Sequence, residues 1–217
     1  MSEYIIGTIG KGILETLAMT FFASLFSYII GLPVGVLLYA TDKGRILENS
    51  KVNLVLGGIV NVLRSLPFLI LLVLLIPFTR LITGSSIGTV ATIVPLTVGA
   101  APIVARMVES SLCEVPPGII EAARAMGASP VYTIINFIIP EAVPSLLQGG
   151  AINIATILGY SAMAGTIGGG GLGAIAMQYG YYRYQQDVLW TTVALLVVMV
   201  MLIQGAGTLL AKKKRKD

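Results

Sequence analysis

Four stretches of this chain run for at least 24 residues without a charged side chain: residues 16–41, 81–105, 142–182 and 188–211. A hydrocarbon core about 30 Å thick takes about 20 apolar residues per helical crossing. Lipid offers no partner to an unpaired backbone N–H or C=O, so such runs cross as helices. Only 11% of the 217 residues are charged, against about 25% in soluble domains. That is too little charge to cover a water-facing globule, and the sequence predicts an all-α membrane protein.

A fifth span is interrupted. Arg64 falls within the apolar region 52–79, and residues 65–79 alone would extend only about 22 Å as a helix. The span must therefore start near Asn53 or Leu54, which places Arg64 inside the membrane or at its boundary. The run 142–182 exceeds one straight crossing and falls short of two with a loop. It reads as a helix followed by a Gly-rich re-entrant or interfacial segment. The expected spans are 17–40, 54–78, 87–105, 142–165 and 188–210, in a single transmembrane domain covering 1–217.

An odd number of spans puts the termini on opposite sides. With the C-terminus cytoplasmic, ten basic residues lie inside (Lys43, Arg45, Lys51, Arg106, Arg124 and five in the tail 212–217) and three outside (Lys11, Arg80, Arg183). Arg64 is left unassigned. This follows the positive-inside rule and predicts an external N-terminus. The basic tail reads as an orientation anchor at anionic lipid headgroups in preference to a nucleic-acid site. Glu3, Lys11 and Glu15 precede the first apolar run, a pattern unlike a cleaved signal peptide.

The polar island 106–141 is then a cytoplasmic loop. Pro116-Pro117-Gly118 ends the preceding element, and residues 119–126, with three alanines, form a helix. Glu121 is expected in its first turn, where a carboxylate suits the helix dipole. Gly127 is placed for a left-handed C-terminal cap. Ser129-Pro130 reads as N-cap and first residue of a second helix that runs to Ile138 and stops before Pro140, with Pro144 able to start the next span. An amphipathic loop lying on the membrane would share much of this pattern. The small side chains of the first helix favour docking against a partner, because they permit close backbone approach.

Within the spans, Arg64 is the polar anomaly, a residue type that faces a bundle interior or cavity or snorkels to the interface. Ser65 and Pro67 can open a helix break beside it. Tyr160, Ser161 and Met163 lie in a small-residue stretch, where a flexible thioether can plug a narrow route or fill core space. These six residues are the candidate pathway or gate. Gly31 and Gly35 permit a close helix crossing, and Pro33 between them a kink. Gly168, Gly170 and Gly173 formally fit G-x-G-x-x-G, but no strand precedes them, so they read as a tight turn or close packing.

The sequence has no histidine and one cysteine, Cys113. That excludes a disulfide framework and the usual metal-ligand sets. Cys113 reads as a small apolar residue. No catalytic residue is assigned. The pattern G-x-x-x-x-G-K-S/T is missing, so energy from ATP would have to arrive through another polypeptide.

Glu121-Ala122-Ala123, then Gly127, then Phe137, Ile139 and Pro140 resemble the EAA loop of bacterial ABC importer permeases. The family pattern ends I-x-L-P, and Phe137 and Ile139 keep its apolar bulk. The resemblance continues through Glu15-Thr16-Leu17-Ala18-Met19-Thr20, Gly31-Leu32-Pro33-Val34-Gly35, Arg64-Ser65-Leu66-Pro67-Phe68, Gly159-Tyr160-Ser161-Ala162-Met163 and Gly169-Gly170-Gly171-Leu172-Gly173. With these segments the chain is similar to the methionine-type permeases. The resemblance implies the type I ABC importer transmembrane fold and a coupling helix formed by Glu121, Ala122, Ala123, Arg124, Met126, Gly127 and Ala128. It also implies a homodimer, two cytoplasmic ATPase subunits that bind ATP and Mg, an external substrate-binding lipoprotein and no nucleic acid. The implied function is import of D- and L-methionine across the bacterial inner membrane. A permease for another amino acid, an ATP-independent channel or secondary transporter, and an intramembrane enzyme are the alternatives. The last two would need acidic or paired ionisable groups within the spans.

Overall fold

A proline decides how the second span is built. The computed structural model describes residues 3–214, so Met1, Ser2 and the tail residues Arg215, Lys216 and Asp217 lie outside it. Helix α2 (Ser50–Ser65) opens at Asn49, whose side chain accepts the Val52 N–H at 3.2 Å. It starts four residues before the expected Leu54. Pro67 disfavours helical geometry at the residue before it, and Leu66 is extended at φ −79°, ψ 127°. The chain turns by 102° before resuming as α3 (Phe68–Leu74). A further short helix, α4 (Ile76–Thr83), follows. The single crossing expected over 54–78 is thus a broken one. Among the described residues, four helical segments are long and apolar enough to cross a bilayer, and the bent α2–α3 pair makes a fifth.

The core lies where α1 (Glu3–Thr41) runs along α5 (Thr89–Cys113). A Cβ on Gly31 would sit 2.7 Å from both the Ala101 carbonyl oxygen and Val104 Cβ. One turn on, a Cβ on Gly35 would meet the Ala105 carbonyl oxygen and Val108. The G-x-x-x-G pair therefore removes side chains where two backbones touch. Beside this crossing, Met19, Ala23, Phe68, Leu96, Ala100, Ile157 and Ala164 form an apolar cluster at mid-bundle. Of the four unbroken crossings α5 is the most enclosed and α10 (Gln186–Lys214) the least, with 61% and 6% of their most apolar windows buried. Trp190, Val197, Met201, Leu202 and Leu209 of α10 are exposed, as suits a helix with lipid around most of it.

The polar island is more helical than the sequence predicts. Helix α5 passes the expected end at Ala105 and carries Arg106 through Cys113 with it. Helix α6 (Pro117–Ala125) begins two residues early, because Pro117 takes its first helical position. Glu121 consequently lies beyond the first turn. The short helix α7 (Pro130–Thr133) starts at Ser129, whose hydroxyl accepts the Tyr132 N–H at 3.3 Å. The expected stop before Pro140 does not occur. A π-turn, Ile134–Ile138, leads directly into α8 (Ile139–Ala164), and the Ile139 N–H donates to the Ile134 carbonyl five residues back. The widened turn relieves the clash between the Pro140 ring and the carbonyl four residues earlier. Pro144 lies inside α8 and does not start it.

After α8 the chain forms one 3-10 turn, Gly165–Ile167, then the five-residue helix α9 (Gly171–Ile175) and a π-turn, Ala176–Tyr181. Helix α9 returns against α8. A Cβ on Gly173 would meet the backbone of Ala162, and one on Gly165 the backbone of Gly173 and Ala174.

Candidate functional site

Helix α6 has an inner and an outer face. Ile119 and Ile120 pack against a cluster built from the end of α1 (Tyr39, Ala40), the end of α5 (Val108, Leu112) and Ile134 and Ile138 of the π-turn. Ala123 is fully buried. Glu121, Ala122, Arg124, Met126 and Gly127 are exposed, and Ala128 is half-buried. The seven residues expected to couple to a partner are therefore brought together, but Ala123 fixes the helix to the bundle and does not face outward.

The end of α6 is set by hydrogen bonds. The Ala128 N–H donates to Ala123 O at 3.0 Å and the Gly127 N–H to Arg124 O at 2.9 Å, the pattern of a Schellman cap. Gly127 has φ +76° and open space where a side chain would be. It is required for its backbone conformation, and packing makes no demand on it. Arg124 in the last turn complements the carbonyl end of the helix.

The base of this loop is tied to α1 through Arg45. Its guanidinium carbon lies 4.7 Å from the Tyr39 ring centroid, and Nη2 donates to Cys113 Sγ at 3.4 Å. Cys113, read from the sequence as a passive apolar residue, is exposed and accepts this hydrogen bond.

The candidate pathway residues are only partly assembled. Phe68, just after the break, is buried and stacks on Tyr160 with ring centroids 4.2 Å apart and planes within 4°. Gly99 of α5 makes room for it, since a Cβ there would lie 3.2 Å from Phe68 and Leu71. Pro67 and Tyr160 thus meet through Phe68. The Ser65 hydroxyl donates to Asn61 O at 2.8 Å, closing the last turn of α2. Arg64 is exposed, and its side chain makes no hydrogen bond or ion pair with any described residue. Ser161 is buried, with its hydroxyl donated to Leu158 O at 2.7 Å, whereas Met163 is exposed.

Three side chains with structural consequence escaped the sequence reading. Glu15 and Thr16 of α1 hold α9: the Gly171 N–H donates to Glu15 Oε2 at 2.8 Å and the Leu172 N–H to Thr16 Oγ1 at 2.9 Å. Gly171 has φ +74°. Both partners lie 156 residues away in sequence, so no local pattern announces them. The third is Arg106, which pairs with Glu109 at 2.7 Å. Its i,i+3 spacing to Glu109 was the available signal.

No group of three His, Cys, Asp or Glu side chains is placed to hold a metal ion among the described residues. The assembled features are an outward-facing short helix and a broken crossing. Residues 31–216 match the family described as the binding-protein-dependent transport system inner membrane component. The chain is 48% identical over 199 residues to the probable D-methionine transport system permease protein MetI of Vibrio cholerae, covering 92% of this chain and 88% of that protein. It is 54% identical over 165 residues to the D-methionine transport system permease protein MetI of Escherichia coli K12, covering 76% of each. In three dimensions it resembles a chain of the inward-facing MetNI methionine ABC transporter with a TM-score of 0.97, 52% identity and 99% coverage of both chains. The fold is the all-α transmembrane fold of that transporter, and the chain belongs to the binding-protein-dependent transport system inner membrane component family.

Proposed function

We propose that the chain is the non-catalytic permease subunit of an ATP-driven importer and that two copies form the route for D- and L-methionine across the bacterial inner membrane. The observation that carries this reading is α6. Its apolar face is anchored to three helical segments, its end is locked by the Gly127 cap, and its other face is free. A rigid, displayed helix of small residues is what a docking cleft on a partner requires.

In this reading α6 is cytoplasmic, with the N-terminus outside and the C-terminus inside. Two ATPase subunits each receive one α6 and bind all the ATP and Mg. A symmetric pair places the route on the two-fold axis. Closure of the ATPase dimer on ATP draws the two α6 helices together and favours an outward-facing bundle, while hydrolysis returns it inward. The bias between states is the differential affinity of the ATPase dimer for nucleotide. An external lipoprotein delivers the substrate. The break at Pro67 and the Phe68–Tyr160 stack are the gate elements, with Arg64, Ser65, Ser161 and Met163 as candidate lining.

The test is uptake of labelled methionine into proteoliposomes holding the permease, its ATPase and the binding lipoprotein. Uptake that requires ATP and is competed by both D- and L-methionine is expected. Uptake without ATP, or uptake of another amino acid in preference to methionine, would overturn the reading.

A further inference from the structure

Arg106 is the one basic side chain among the described residues that pairs with an acidic group on its own helix while also reaching a neighbouring crossing. Its Nη1 lies 2.7 Å from Glu109 Oε2, with the two side chains only 26% and 18% exposed. Nη2 donates to Asn61 Oδ1 at 2.8 Å and to the Gly57 carbonyl at 3.3 Å, both on α2. A Cβ on Gly57 would lie 3.4 Å from Nη2, so the guanidinium rests against bare α2 backbone. The planar fork of arginine serves these three acceptors at once, which a lysine ammonium on a flexible stem does not.

The position of this clamp is informative. Pro102 interrupts the hydrogen-bond ladder of α5, and below it Val104, Val108 and Leu112 share one apolar cluster with Ile119 and Ile120 of α6. The lower part of α5 and α6 are therefore one packed body, and Arg106 belongs to it. On the other side, α2 buries only Gly57 and Val60. Near its start it is tied to α1 by Asn53 Nδ2, which donates to Leu38 O at 2.8 Å. Among the described residues its last turn has no polar side-chain tie to another helix, and it leads into the 102° break.

We propose that Arg106 is a positioning residue that carries movement of α6 into α2, and so to the break at Ser65–Pro67. The inference rests on the docking role of α6 argued above. A displacement of α6 moves the lower part of α5 with it. The Arg106–Asn61–Gly57 contacts then oblige α2 to follow, while the exposed last turn and Pro67 absorb the change of angle. Glu109 orients the guanidinium and offsets the cost of enclosing its charge.

The experiment uses the complete reconstituted complex of permease, ATPase and binding lipoprotein, and reads methionine transported per ATP hydrolysed together with the amount of complex recovered. Arg106→Gln and Arg106→Lys are expected to lower transport per ATP by about tenfold, within the range reported for residues that couple distant sites. Asn61→Ala is expected to lower it by less. Arg106→Gln combined with Asn61→Ala should be no worse than Arg106→Gln alone, because both remove one contact. A fall in recovered complex with unchanged transport per ATP would assign Arg106 to folding alone and overturn the proposal, as would additive effects of the two substitutions. If Arg106→Gln does not assemble, Asn61→Ala and Arg106→Lys decide the matter by the same ratio. ATP-independent uptake by the unaltered complex would instead overturn the importer reading.

Discussion

Two short helices, α6 and α9, interrupt the long crossings, and both adjoin glycines with positive φ. They are held in opposite ways. Helix α9 is buried along its whole length and receives its caps from α1, far away in sequence. Helix α6 is capped by its own next residues and leaves one face bare. The glycines differ accordingly. Around Gly127 a side chain would find open space, whereas at Gly165, Gly169 and Gly173 it would strike backbone. Glycine supplies a conformation in one place and absent volume in the other. Both helices pack on distant segments, but α6 is capped locally and α9 from afar.

The comparison breaks most readily at Gly173. Valine there would drive two methyl groups and a Cβ into the Ala162 backbone, which has no rotamer by which to yield. Overpacking of this kind costs about 3 kcal/mol, and more where only backbone can move. Gly173→Val should sharply reduce folded protein recovered in detergent and lower its melting temperature. Wild-type recovery and melting would mean that α9 is not packed against α8 as described.

Next in size is Glu15→Ala, which removes the acceptor of the Gly171 N–H. Loss of a charged cap to a backbone donor costs about 1–2 kcal/mol. Thermal melting should show the loss, and amide exchange should rise at Gly171 while α6 is unaffected. Equal exchange changes at both helices would remove the distinction between remote and local capping.

The same distinction explains what could be read from the sequence. Crossings 1, 3, 4 and 5 are legible because a long uncharged run has one structural meaning in lipid. The Gly127 and Ser129 caps are legible because they act within five residues. The Pro140 stop fails because a π-turn absorbs the proline, and nothing in residues 134–138 signals a widened turn. The break in the second crossing is legible at Ser65 and Pro67, but its 102° angle is not, since a proline within a membrane helix permits a kink as readily as a break. Its partner in the outcome is Phe68, seated between Gly99 and Tyr160. That contact joins three separate segments and is invisible to periodicity. Arg106 is misplaced for a related reason: its charge marks the start of a loop by composition, whereas Glu109 neutralises it within α5 and Asn61 of α2 accepts a hydrogen bond from it.

The smallest expected effect on stability is at Glu121, and it sharpens the comparison furthest. Glu121 is exposed and lies past the first turn of α6, so it contributes little to the dipole. Glu121→Lys should change melting of the isolated permease by no more than about 0.5 kcal/mol in free energy. Its effect should appear only when the ATPase is present, as reduced co-elution and reduced uptake, because reversal of charge on a docking face costs more than its loss. Glu15→Ala should show the reverse, weakening the isolated chain and leaving ATPase co-elution of the folded fraction intact. A large melting shift for Glu121→Lys in the isolated permease would place Glu121 inside the fold, and the outer face of α6 would then be shorter than the exposed residues indicate. Loss of co-elution at unchanged melting would separate display from support within a helix of nine residues.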